Sequence, residues 1–401
     1  MSAVPIPGGI TSAQGFSVAI GEAGIRASRG PDLVLLASDR PASAAATFTT
    51  NQMRAAPVLL AEAALATGGP TRGIVVNAGC ANAGTGAAGL EDARAVVAAT
   101  AAHLGCEADE VLPASTGLIG SRLPVADMLA TIPTLRLSRS RAASTRAARA
   151  IMTTDTRPKE SAVAASLADG REVRIGGMAK GSGMIHPQMA TMLAFLTTDA
   201  PIDAATLRAL LRPAVERTFN QVTVDGDTST NDAVMVLANG AAGRPPLTGA
   251  DRATFAEALE AVCRSLAIAI AADGEGAEHL IEVTVNGAAS DADARAVART
   301  VASSSLVKTA VHGADPNWGR IAAAAGRSGV RLDPDRMRVC IGDVAVYDGS
   351  PLAFDERRAR RILRGATVPL ILDLVDGSGS GTAWGCDLSP EYVAINSEYT
   401  T

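Results

Sequence analysis

Lys180-Gly-Ser-Gly-Met-Ile-His-Pro-Gln-Met-Ala-Thr191-Met-Leu193 is the stretch on which the reading of this chain turns. A lysine precedes three small residues, Gly181, Ser182 and Gly183, and Pro187 then stiffens the approach to the Ala190–Thr191 bond. Past Thr191 the residues become apolar and strand-like, from Met192 to Leu196. A threonine therefore stands where a loop feeds a buried strand, which presents a hydroxyl to a pocket. The small residues do not make a phosphate loop: the GxxxxGK[ST] spacing is missing and no helix start follows. From residue types alone, the stretch also reads as an ordinary loop entering a core strand.

Working outward, residues 32–37, 45–50 and 73–77 are short β-prone runs. The last of them enters a Gly-rich segment, 78–86, whose glycines miss the GxGxxG spacing of a dinucleotide site. The helix that follows sets Leu90, Ala93, Val96, Val97 and Leu104 on one face and ends at Gly105. Residues 113–120 read as a tight turn after a strand, and Glu172-Val-Arg-Ile175 as part of a charged strand pair. Asp203 caps a helix bearing Leu207, Leu210, Leu211, Ala214 and Val215, kinked or ended near Pro213.

Asp225, Asp227, Ser229 and Asn231 alternate as in a calcium loop. Thr230 stands where that loop needs glycine and Val236 where it needs glutamate, so calcium is rejected. A long helix over 252–272 turns Phe255, Leu259, Val262, Leu266 and Ala269 inward and stops at Asp273-Gly-Glu-Gly-Ala277. Alternation from Ile281 opens a second lobe, with helices over 291–304 and 355–363 and strands over 338–346 and 367–374. His312 lacks a serine or cysteine partner at catalytic spacing and reads as a packed structural histidine. Tyr392, Val393 and Ile395 read as an edge strand.

Composition bounds the function. The 401 residues are enough for two or more lobes, and 47% hydrophobic against 19% charged residues describes a globular chain. A net charge of −5 gives no reason to expect nucleic acid. Five scattered cysteines without a CxxC pair indicate neither zinc nor a disulfide framework. The first residues lack a charged, then apolar, leader, and the most apolar helical segment, 261–272, is broken by Arg264. A soluble cytoplasmic protein that touches neither membrane nor nucleic acid is the expectation.

Residues 180–193 resemble the cleavage-site signature KGxGMxxPxMATML of the ornithine acetyltransferase family. Other segments are similar to that family's motifs in the same order. They are NxGxANA at 77–83, STGxIG at 115–120, TTDT at 153–156, VDGDTSTND at 224–232, DGEGA at 273–277, DPNWGRI at 315–321 and YVxIN at 392–396. The resemblance implies an α+β fold: an αββα sandwich related to the DmpA-type aminopeptidases, with a C-terminal α+β lobe. A catalytic lobe over 1–280 and a second lobe over 281–401 follow, the latter sending its tail back to the active site.

The same resemblance implies that the chain cuts itself between Ala190 and Thr191, making Thr191 the nucleophile of a second subunit. A hydroxyl needs a base within hydrogen-bond reach, and the freed α-amine supplies one. Its pKa of roughly 8, against about 10.4 for lysine, suits neutral pH without deep burial. Thr116 and Gly117 are implied as the oxyanion hole, and Thr153, Thr154, Lys180, Glu275, Asn396 and Thr401 as substrate contacts. The implied reaction passes acetyl from N2-acetyl-L-ornithine to L-glutamate, in an α2β2 assembly with no metal. No cofactor is implied, although some relatives take acetyl-CoA as a second donor. The alternatives are a self-cleaving aminopeptidase or amidase, and an uncut binding or scaffolding protein.

Overall fold

The computed structural model describes residues 3–27, 29–186 and 192–398. Ala190, Thr191 and Thr401 lie outside the described residues. The first sheet, of nine strands, is organised by the 16-residue strand Leu33–Phe48. It joins what the sequence suggested were two runs. Between them Asp39, Arg40 and Pro41 are exposed, and pairing with Thr71–Cys80 shifts register between Ala37 and Ala42. The strand therefore bends there rather than stopping. Its first half pairs antiparallel with Phe16–Gly21 and Thr71–Cys80. Its second half pairs antiparallel with Ala233–Ala238, which runs parallel to Leu193–Thr198. Glu172–Lys180 and Lys159–Ser166 continue this half antiparallel.

The bend folds one half of the sheet over the other. Alternation along each strand gives every strand two faces. Val34, Leu36 and Ile74 meet Met178, Phe195 and Met235 in the layer between the halves. Leu33, Leu35 and Val75 point the other way, onto Val96 and Val97 of the helix Gly86–Leu104. Behind the second half, Val163, Ile175, Leu196 and Val236 pack on Leu207 and Leu211 and on Phe255, Leu259, Val262 and Leu266. The last four recur at helical spacing along Gly249–Ala271, and burying each such side chain contributes about 1.5–3 kcal/mol. The order is helix, sheet, sheet, helix, as the α+β expectation required.

A second core gathers Ile281, Val283, Val285, Val368, Leu370 and Leu372 against Ala294, Val297, Ala298 and Val301. Its six-stranded sheet also takes in Val222–Thr223, parallel to Gly379–Cys386, while Trp384 and Cys386 pack into the first core. No helix among the described residues is long and apolar enough to cross a membrane.

Four local readings change. Residues 113–120 are not a tight turn, since Thr116 and Gly117 belong to the strand Val111–Leu118. The helix Ala204–Arg217 runs through Pro213, held on both sides of it by buried Leu207, Leu211, Ala214 and Val215. Residues 338–346 divide into a hairpin, Arg338–Ile341 and Val344–Asp348, turning at Gly342 with φ +58°. Residues 392–395 lie in the helix Pro390–Glu398 rather than an edge strand. Proline at the first helical position favours that start, because its missing N–H has no helical partner to lose.

Candidate active site

Lys180 ends its strand opposite Leu193, two residues beyond Thr191. Its side chain is 2% exposed as a residue. Its Nζ donates to Thr153 Oγ1 at 2.7 Å and lies 3.8 Å from Asp155 Oδ2. Burial pulls the ammonium below its usual pKa, and the Asp155 carboxylate pulls back. Asp155 Oδ1 accepts from Gly181 N at 2.7 Å and from Lys159 Nζ at 2.6 Å, and Oδ2 accepts from Thr153 N. Lys159 reaches on to Asp273 Oδ2 at 2.5 Å, and Thr156 Oγ1 donates to Asp273 Oδ1. This buried run of alternating charge sews the TTDT segment to the end of the strand bearing Lys180 and to the end of the long helix. Of the two threonine hydroxyls expected to meet substrate, Thr153 takes Lys180. The Thr154 hydroxyl makes no hydrogen bond among the described residues.

Asp273 begins the next link. Ser182 Oγ donates to its carbonyl, and Glu275 N donates to Ser182 O. The Glu275 carboxylate lies over Gly183: a Cβ there would fall 2.4 Å from Oε1. A larger residue there would have to push the Glu275 carboxylate aside. Asn396, on the C-terminal helix, donates from Nδ2 to Glu275 Oε2 at 2.8 Å, and Ser389 Oγ donates to Gly276 O. Thr153, Lys180, Glu275 and Asn396 are thus brought together from four distant segments. Lys180 and Glu275 set opposite charges near the head of the strand that starts at Leu193.

Thr116 and Gly117 arrive from the other side. Gly117 has φ +130°, and its neighbours Gly79 and Cys80 form an irregular pairing with the strand. Ser115 Oγ donates to Asn77 Oδ1, and Asn77 Nδ2 to Cys80 O, so the two Gly-rich segments hold one another. Asn231 Nδ2 bridges the Ala81 and Ser115 carbonyls at 2.7 and 2.9 Å. The adjacent Asp232 accepts Met192 N at 2.9 Å through Oδ1. Asp225 takes the backbone N–H groups of Met184 and Ile185. The run 225–232 therefore orders backbone at Met184, Ile185 and Met192, on either side of the Ala190–Thr191 bond in sequence. His312, meanwhile, ends its helix with Nδ1 2.9 Å from Asp387 Oδ2, a packing arrangement.

Asp155, Lys159 and Asp273 were not singled out by sequence reasoning, although they sit inside segments quoted for other residues. Acidic residues within TTDT and DGEGA were the available signal. Asp273 meets Thr156 and Lys159 from more than 100 residues away, which no local pattern reveals.

Asp155 yields a pH prediction. Burial alone would raise its pKa. Lys180, Lys159 and the Gly181 N–H outweigh burial and hold the carboxyl at about 2. A folded value below the unfolded one, about 3.9, stabilises the fold above pH 4 and loses that contribution as pH falls toward 2. The contribution is roughly 2 kcal/mol. Asp155→Asn is expected to destabilise the protein at neutral pH, with the gap to wild type narrowing between about pH 4 and 2. Urea melts across that range check it; a constant gap would contradict the linkage.

Together these features define an α+β protein whose polar machinery converges on the head of one central strand. The chain belongs to the ArgJ family, whose model matches residues 17–401. The arginine biosynthesis bifunctional protein ArgJ of Thermosynechococcus vestitus is 49% identical, covering 99% of each chain. A crystal structure of the corresponding Bacillus halodurans protein is 46% identical with a TM-score of 0.50, covering 51% of this chain and 97% of that one. A crystal structure of ornithine acetyltransferase complexed with ornithine from Mycobacterium tuberculosis is 39% identical with a TM-score of 0.43, covering 46% of this chain and 98% of that one.

Proposed function

We propose that this chain is a self-cleaving acetyltransferase of arginine biosynthesis that moves acetyl from N2-acetyl-L-ornithine to L-glutamate. Family membership supports the reaction. The observation that carries it is the Lys180–Glu275–Asn396 grouping near the strand beginning at Leu193. An amino acid brings a carboxylate and an ammonium, and those charges call for a cation and an anion that are already held in place.

The steps follow from the groups. After the Ala190–Thr191 bond is cut, Thr191 Oγ attacks the acetyl carbonyl carbon and its own α-amine takes the hydroxyl proton. Thr116 and Gly117 receive the oxyanion, where backbone N–H groups can approach closely because Gly117 has no side chain. Collapse breaks the C–N bond, the α-ammonium returns its proton, and ornithine leaves as the amine. The glutamate amine then attacks the acetyl-threonine ester through the same oxyanion and gives a proton to the Thr191 α-amine; the C–Oγ bond breaks, Oγ takes that proton, and N-acetylglutamate departs. Glu275, oriented by Asn396, takes the ornithine ammonium; Lys180 takes a carboxylate. Acetyl-CoA is a second donor at the same threonine. The assembly is α2β2 in the cytoplasm, with a catalytic lobe over 1–280 and a C-terminal lobe over 281–401 whose last residue, Thr401, reaches substrate.

The deciding assay supplies acetylornithine or acetyl-CoA with glutamate and follows the product. N-acetylglutamate supports the reading; free acetate without it would favour an amidase. Removing residues 397–401 is expected to raise KM for acetylornithine roughly tenfold or more, as losing a polar substrate contact does, while cutting continues. An unchanged KM would exclude the tail from the site.

A further inference from the structure

Two buried cations share one carboxylate beside the proposed substrate contacts, and they share it unequally. Lys159 and Lys180 are 1% and 2% exposed. The Lys159 Nζ donates to Asp155 Oδ1 at 2.6 Å and to Asp273 Oδ2 at 2.5 Å. The Lys180 Nζ stands 3.8 Å from the other oxygen of Asp155, beyond the roughly 2.7–2.9 Å of a charge-assisted hydrogen bond. Asp155 is not free to turn and close that gap. Its Oδ1 also holds the Gly181 N–H at 2.7 Å, and Oδ2 holds the Thr153 N–H at 3.0 Å. Lys180 therefore donates to the neutral Thr153 hydroxyl and closes no hydrogen-bonded ion pair among the described residues.

Lys159 is placed differently. Both of its charged partners belong to the protein, and its burial keeps it from substrate. Asp273 has one other cation nearby, the exposed Arg157, whose Nε is 3.7 Å from Oδ1. Without the Lys159 charge, Asp155 would keep only Lys180 within ion-pair reach among the described residues. Opposite charges that close attract strongly when buried, so the Lys180 ammonium would move onto Asp155 and away from substrate.

We propose that Lys159 is a positioning residue for substrate selection: by occupying Asp155 and Asp273 it holds the Lys180 ammonium open for a substrate carboxylate. It acts through Lys180 and touches no reacting atom. The same ladder sets Lys180 relative to Glu275, since Asp273 lies two residues before Glu275 and its carbonyl takes the Ser182 hydroxyl at 2.7 Å. The favoured donors are then acylated amino acids that carry both a carboxylate and an ammonium, over acylated diamines that lack the carboxylate. The inference rests on the reading in which Lys180 takes a substrate carboxylate, and its test separates the two.

The probes are two donors, acetylornithine and N-acetylputrescine, the second being the first without its carboxylate. The readout is the ratio of their kcat/KM values in the assay with glutamate. Wild type is expected to prefer acetylornithine, and Lys159→Met to lower that preference about 10–100-fold, the worth of one hydrogen bond to a charged group. A merely structural Lys159 would depress both donors together; an unchanged ratio would therefore overturn the inference. Equal use of the two donors by wild type would sink the reading of Lys180, and the inference with it. A lone charge left buried can prevent folding, so Lys159→Met is also combined with Asp155→Asn, which removes one charge of each sign. With the capturing carboxylate gone, the paired variant is expected to regain the wild-type preference, and its failure to do so would equally overturn the inference.

Discussion

Thr191→Ala is expected to yield one uncut polypeptide and acetyl transfer reduced at least about 10⁴-fold. The substitution removes the attacking hydroxyl from both reactions at once. Without cutting, no α-amine is released, so the base is lost along with the nucleophile. These losses are not additive, because they belong to one unit. Intact mass and the glutamate-acceptor assay read the two effects separately. Thr191→Ser keeps both groups and should remain cut. Transfer at normal speed by an uncut Thr191→Ala protein would remove the central claim.

Gly117→Ala carries the second large effect, and the fold explains why. Gly117 has φ +130°, which an L side chain rarely adopts. An added Cβ would fall 2.2 Å from the Gly79 carbonyl carbon and 2.5 Å from Cys80 N. Both are backbone atoms of the neighbouring strand, held by Asn77 and Ser115, so neither can swing aside as a side-chain tip could. The strands Thr71–Cys80 and Val111–Leu118 must separate where the oxyanion donors are proposed to lie. Displacing one such donor typically costs about 10²–10³ in kcat. The expected result is a loss of that size in kcat for acetylornithine with a lowered melting temperature. Unchanged kcat would move the oxyanion hole elsewhere.

Much of the architecture was legible before any coordinates. The helices Gly86–Leu104, with Gly105 left-handed at its end, and Gly249–Ala271 follow from apolar spacing and a glycine stop. Asp203 caps its helix by accepting Thr206 N, as its residue type suggested. The family could be recognised because its motifs occur in order along nearly the whole chain. Where local reading failed, a distant contact had overruled it. The break seen near residue 40 is a bend because two different partner strands need one continuous edge. Tyr392, Val393 and Ile395 have strand-forming side chains, yet Pro390 and the bonds to Gly276 and Glu275 set that tail as a helix.

By itself, the sequence determined the chemistry available to this protein: a threonine at a loop-to-strand junction, the small residues that let backbone approach it, and the segments that carry charge. Those are properties of neighbours along the chain, where spacing and residue type suffice. Only the tertiary structure decided which charges meet. It gave Lys180 to Thr153, joined Asp155 and Asp273 through Lys159, set Glu275 above Gly183, and brought Asp232 to the Met192 N–H. The physical reason is that buried charges must find partners, and in a folded sandwich those partners come from strands and helices far apart in sequence.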